Sequence, residues 1–290
     1  MKKLTRFLVI LTALCLTLAL CQAALAATFT DAHGNEIELD ETLEAYSQVA
    51  LSGGKNAARM GETNLGDLWT DALLWFATSG RINEYFDEDD VAAGNTSISV
   101  DADHIVALWN GGNLREDIAA GTFGAEELAL VLPYPNRVAV AYMTGAQLLE
   151  TLEAASQGLP YTEETADACA SFMQVAGLQY TVDTTRAYEA GEAYGDYWFK
   201  AKALSRVTIT NVGGQPFDEK ATYAVVTSNA NFNGMDASYV FADAVAANEA
   251  SAITTAVVRD VVWMYLDEVL ENLVGDQYAA PQGRVTLLTD

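Results

Sequence analysis

The chain has 290 residues, 40 acidic against 15 basic, a formal charge of −25, and 51% hydrophobic side chains. A surface of that sign repels nucleic-acid polymers and anionic membranes, and so apolar a composition excludes a disordered chain. A small phosphate-bearing ligand is not excluded, because a few local arginines outweigh a distant mean field within a Debye length.

The first 26 residues read as a secretory leader. Lys2, Lys3 and Arg6 form a basic start, Phe7 to Cys21 an apolar core, and Ala24-Leu25-Ala26 a small-x-small cleavage site, with the mature chain beginning near Ala27. That core is shorter than a spanning helix needs, so the expectation is an exported, extracytoplasmic chain (periplasm, cell surface or medium) without a transmembrane segment. Leu20 stands where a lipid-attachment signal wants a small residue, so Cys21 is a poor anchor. Of three cysteines, Cys15 and Cys21 leave with the leader, and Cys169 reads as a small buried hydrophobe. The rest divides into a lead-in over 27–58 and a main domain over 59–290.

In chain order, Phe29 to Leu39 alternates as a small hairpin around His33-Gly34-Asn35. Asp31-x-His33 has the spacing of a metal pair, but a dinuclear centre needs several more ligands, and the only other histidine is His104. Residues 40–61 suggest a helical lead-in and a loop at Ser52-Gly53-Gly54. The first strong helix is capped by Thr63 or Asn64 and carries Leu65, Leu68, Trp69, Ala72, Leu73 and Phe76 at helical spacing. Gly66, one turn inside it, implies close packing of another element, and Asp71 interrupts the apolar stripe, either bonding to backbone or facing solvent. The acidic run Asp87 to Asp90 reads as a solvated connection.

Ile105 to Trp109 is an apolar run of strand length that ends in Asn110-Gly111-Gly112, with Arg115 following. Glycines at a strand's end let a ligand approach the main chain, Asn offers donor and acceptor, and Arg offers a fork for carboxylate or phosphate. Taken alone, these residues describe a glycine turn with a surface arginine more readily than a binding loop.

A short helix over Ala125 to Leu132 then stops at Pro133, Arg137 to Tyr142 is a strand, and Thr144 with Gln147 forms a capping box. Residues 157–171 read as loop, Met173 to Val182 as one strand containing Gly177, and Tyr188 to Trp198 as a tyrosine-rich loop. Val207 to Asn211 and Tyr223 to Thr227 suggest a hairpin across Gly213-Gly214. A polar loop spans Ser228 to Tyr239, followed by a long helix over Ile253 to Leu270, with Val257, Val261, Met264, Tyr265 and Val269 inward, and a strand at Arg284 to Leu288. Interleaved strands and helices predict an α+β layered fold with a mixed sheet.

Eight stretches in order carry a resemblance: Glu62 to Ala72, Leu108 to Arg115, Val131 to Tyr134, Met143 to Leu149, Gln174 to Tyr180, Gly213 to Tyr223, Ser228 to Tyr239 and Gly283 to Val285. Together, over roughly residues 59–287, they resemble the C-terminal domain of the 5′-nucleotidase family. The resemblance implies a substrate-recognition domain in which Arg59 and Arg115 hold a phosphate and Asn110 contacts the substrate. Tyr134 would stack on a base and Asp236 would accept from ribose hydroxyls. The family's second stacking ring aligns near Asn231, so that role falls to Phe232, and the family's Gly-Gly-Asp-Gly-Tyr reads Gly234-Met-Asp-Ala-Ser-Tyr239.

The family's dimetal phosphoesterase domain has no counterpart in the short stretch before Arg59, so the expectation is no catalytic residue, no metal site and no cofactor in this chain. Three readings follow. The chain is a stand-alone recognition domain for a nucleotide, nucleoside or similar ligand; or the substrate-binding part of a split hydrolase with a separate metallophosphoesterase chain; or a structural module without ligand. Retention of Arg59, Asn110, Arg115 and Asp236 favours the first two. No Gly-x-Ser-x-Gly elbow appears, and His104 reads as a partly exposed strand-end residue.

Overall fold

The computed structural model describes residues 43–289 except Lys55, together with the backbone of two earlier strands. The leader, Asp31, His33 and Cys21 lie outside the described residues. In chain order the strands are β1 (Ala27–Thr30), β2 (Glu36–Leu39), β3 (Glu44–Ser47), β4 (Ile105–Asn110), β5 (Gly121–Gly124), β6 (Arg137–Thr144), β7 (Met173–Ala176) and β8 (Leu178–Asp183). They continue with β9 (Ala190–Tyr194), β10 (Trp198–Ala201), β11 (Val207–Val212), β12 (Gln215–Pro216), β13 (Thr222–Ser228), β14 (Ala252–Val257), β15 (Leu273–Val274) and β16 (Val285–Leu288).

The centre is a five-stranded mixed sheet of order β14-β6-β13-β4-β7. Apart from the edge strand β14, its strands are buried on both sides along most of their length and are mainly apolar, and the pleat sends alternate residues to opposite faces. On one face Ile105, Ala107 and Trp109 join Val138, Val140, Ala224 and Val226 in a core with the helices Asn64–Thr78 and Val258–Glu268. On the other, Val106, Leu108, Ala139, Ala141, Tyr223 and Val225 meet the helices Gly145–Ala155 and Tyr239–Ala247 and a four-stranded sheet of order β12-β11-β8-β16. A three-stranded sheet, β15-β3-β5, and the two-stranded pairs β1-β2 and β9-β10 complete the fold, which is the mixed-sheet α+β class expected.

Local signals hold where they are strongest. Thr63 caps its helix by accepting from the Gly66 amide at 3.1 Å, and Thr144 and Gln147 close a reciprocal capping box. Differences arise where pairing is non-local. Residues Glu44–Ser47 form a strand and not a helical lead-in, because Ala45 and Ser47 face inward while β3 pairs with β5 and β15. The run from Met173 breaks into β7 and β8, which belong to different sheets and turn at Gly177 (φ 80°). β11 folds back onto β12 and β8, while β13 enters the central sheet, so the two do not make a hairpin. Ala252–Val257 is a strand before the last long helix begins at Val258, in keeping with its β-branched residues. The tyrosine-rich segment is itself the β9-β10 hairpin.

Gly66 has the close neighbour its position implies. A Cβ there would lie 2.2 Å from Oε1 of Gln174 on β7. That buried amide accepts from the Thr63 backbone at 3.0 Å and donates to the carbonyls of Ala58 (3.0 Å) and Gly61 (2.8 Å). It stitches the start of the helix, and the segment before it, to the sheet. Asp71 neither bonds to backbone nor faces open solvent: it pairs with Arg284 at 2.7 and 2.8 Å and accepts from Tyr278. Arg284 thereby ties the last strand to the helix.

Asp67, one turn earlier, is fully buried. Burial pushes its carboxyl up to about 7, opposed by Arg284 and reinforced by the charge of Glu62, and protonation gives it a donor for the Glu62 carboxylate. A carboxyl raised in the folded state stabilises fully below its unfolded pKa, and that contribution is lost as pH rises through the folded value. The unfolding free energy of the wild type should therefore fall from pH 4 to 8 by on the order of 2–4 kcal/mol more than that of Asp67→Asn in urea titrations; parallel curves would show that Asp67 is ionised throughout. In the same assay Gly66→Ala should lose about 1–3 kcal/mol, the helix-propensity gain of about 1 kcal/mol being outweighed by the clash with Gln174.

Candidate functional site

β13 runs parallel to β4, while β6 and β7 run antiparallel to them. The segments leaving β4 (111–115) and β13 (229–239) therefore emerge at the same sheet end as those entering β6 (133–136) and β7 (166–172). Four chain segments converge on one edge, where the carboxyl ends of parallel strands leave a crevice. There Arg59, Asn110, Arg115, Tyr134 and Asp236 line a single cavity of about 630 Å³.

Each arrives by a distinct local cause. Gly111 begins the turn after β4, and a Cβ there would sit 1.9 Å from the carbonyl oxygen of Ala58, so only glycine lets the Arg59 segment approach this closely. Arg59 is anchored through a bond from Nη1 to the carbonyl of Ala166 at 3.0 Å. The Arg115 amide bonds to the Val131 carbonyl at 2.9 Å, which fixes its loop beside Tyr134. Its guanidinium donates to the Tyr134 hydroxyl at 3.1 Å and lies 5.5 Å from that ring's centre. Asp236 holds a left-handed backbone (φ 57°), a conformation Asp tolerates better than most residues.

Asn110 is buried, and its amide is engaged at both ends: Nδ2 donates to Asp236 at 3.0 Å, and Oδ1 accepts from Asn113 at 2.8 Å. It thus orients the carboxylate and joins two loops. Burial pushes the Asp236 carboxyl up from its ordinary value, while Arg115, Arg59 and the Asn110 amide pull it down. Both guanidinium groups line the same cavity as this carboxyl. The cavity offers cationic donors for an anion, one aromatic ring and one acceptor carboxylate.

Phe232 does not join them. It ends the short helix Asn229–Phe232 pointing into the core with Val106, Leu108 and Phe241, and is 7% exposed. The same segment gives the cavity the apolar side chains of Ala230 and Met235, the latter 58% exposed. Asn113, Asn136 and Asn233 line it too; Asn113 lies within the Leu108 to Arg115 stretch, Asn136 just after Tyr134-Pro135, and Asn233 in the polar segment Ser228 to Tyr239. Cys169 is buried, and burial raises its thiol pKa. His104 stacks on Tyr223 and pairs with Asp103. Among the described residues no group of three or more His, Cys, Asp or Glu side chains is placed to hold a metal ion, and no helix is long and apolar enough to cross a membrane.

A model of the 5′-nucleotidase C-terminal domain family matches residues 43–243. The trifunctional nucleotide phosphoesterase protein YfkN of Bacillus subtilis is 31% identical over 215 residues, which cover 74% of this chain and 12% of that protein. Protein 5NUC of Lutzomyia longipalpis is 26% identical over 248 residues, 83% of this chain and 37% of that one. Among solved structures, the 5′-nucleotidase precursor of Thermus thermophilus superposes with a TM-score of 0.59 at 26% identity, over 86% of this chain and 40% of that chain. The NAD nucleotidase of Haemophilus influenzae shares the fold, with a TM-score of 0.56 at 16% identity over 84% of this chain and 38% of that chain. The chain spans well under half the length of each of these relatives. With most of its length matched by one domain model and its architecture shared with such proteins, the chain belongs to the 5′-nucleotidase C-terminal domain family.

Proposed function

We propose that this chain is an exported recognition domain that binds a nucleotide, a nucleoside or a similar small phosphate-bearing molecule in the cavity at the end of β4 and β13, and that it does not hydrolyse that molecule alone. The observation that carries the reading is the meeting of Arg59 and Arg115, from separate segments, with Tyr134 and Asp236 around one hollow. In this reading the two guanidinium groups take the phosphate, Tyr134 stacks on the base, and Asp236, aimed by Asn110, accepts from the sugar hydroxyls. The basic, apolar leader supports export.

A second reading is favoured by the relatives' names and lengths. The Bacillus protein is named a nucleotide phosphoesterase, and this chain matches only 12% of it. A separately encoded metallophosphoesterase chain would then supply the hydrolytic chemistry, for which two bound metals clamp the attacking and leaving oxygens, and this domain would present the substrate.

Calorimetric titration with AMP, adenosine and inorganic phosphate tests the recognition reading. AMP should bind more tightly than either fragment, and Arg115→Ala should weaken AMP by about 1.5 kcal/mol, roughly tenfold, because the group is exposed and its charge-assisted bond lies at the low end of the usual range. Heat with none of the three ligands would support the structural-module reading instead. For catalysis, the purified chain should show no phosphate release from AMP with added Mn²⁺, Co²⁺ or Zn²⁺; metal-dependent turnover by the chain alone would overturn the proposal.

A further inference from the structure

The β9-β10 hairpin pairs with no other sheet among the described residues, and most of its side chains face solvent, with Tyr197 52% and Phe199 41% exposed. A lone two-stranded hairpin is marginal in water and needs packing to persist. Here Tyr194 and Trp198 supply it, resting on a small cluster of Ala154, Ala237, Tyr239 and Val240. Ala237 directly follows Asp236. The Tyr194 hydroxyl donates to the carbonyl of Gly234, and its ring meets that of Tyr239 at 5.6 Å.

The loop so gripped is an unusual one. Gly234 (φ 82°) and Asp236 (φ 57°) both hold left-handed backbone on either side of Met235. A Cβ on Gly234 would lie 2.6 Å from the Tyr194 hydroxyl oxygen, so glycine makes room for the bond. A loop carrying an Asp in this conformation relaxes unless its surroundings hold it.

We propose that Tyr194 is a positioning residue: through the Gly234 carbonyl it fixes the loop that presents Asp236, and it thereby sets affinity for the sugar half of the ligand but not for the phosphate. This rests on the nucleoside reading of the cavity. The phosphate half is anchored elsewhere, Arg59 on the Ala166 carbonyl and Arg115 on Tyr134, so loss of the Tyr194 hydroxyl leaves it intact.

The test compares wild type with Tyr194→Phe and, as a control, Tyr188→Phe, whose hydroxyl donates to the Phe199 carbonyl of β10 and not to the Gly234 carbonyl. In calorimetry Tyr194→Phe should raise the Kd for adenosine about tenfold and leave that for inorganic phosphate within about twofold, as expected for one lost hydrogen bond acting on one half of the site. Tyr188→Phe should change neither. Without ligand, the amides of Met235 and Ser238, which bond to the Ala230 and Met235 carbonyls, should exchange with deuterium about tenfold faster in Tyr194→Phe while the amides of β13 are unchanged. Equal weakening of adenosine and phosphate, or unchanged exchange at Met235 and Ser238, overturns the proposal. If wild type binds neither ligand, the nucleoside reading fails by itself, and the exchange comparison alone decides whether Tyr194 holds the loop.

Discussion

The site depends on one close backbone approach. Gly111, at the turn out of the central strand, lies against the carbonyl of Ala58 with no room for a methyl group, and Gln174 bonds that same carbonyl from the neighbouring strand. Close-packed backbone whose polar atoms are satisfied by a buried amide leaves little room for movement. That contact delivers Arg59, otherwise remote in sequence, to the same hollow as Asn110 and Arg115.

The rest of the architecture serves the same convergence. The central sheet packs a hydrophobic cluster on each face. The parallel pairing of β4 with β13, flanked by antiparallel β6 and β7, gathers four connections at one edge. The groups gathered there differ in kind: cations on one side of the hollow's chemistry, and a carboxylate held by an amide on the other. In a strongly acidic protein, the two local guanidinium groups are what would make such an edge receptive to an anion.

Much of this was legible in the sequence where the signal is local. The caps at Thr63 and Thr144, the glycine turn after Asn110, and the ring between two prolines at Tyr134 each have short-range physical causes. What was not legible depends on partners far along the chain. Glu44–Ser47 is too short to declare itself a strand without β5 beside it, and β13 follows β11 in sequence yet pairs in another sheet. Phe232 shows the limit at the site: a four-residue helix has no periodicity to say which side of it faces the core, and here the ring turns inward while Met235 takes the exposed place. The double engagement of Asn110 was likewise invisible, since it needs Asp236 and Asn113 at once.

Where a bound anion sits tests the role of the two arginines most directly. A crystal structure of the chain with AMP should show the phosphate between the guanidinium groups of Arg59 and Arg115, with the ribose hydroxyls on Asp236. AMP bound with its phosphate touching neither arginine, or seated away from the crevice at the ends of β4 and β13, would contradict it.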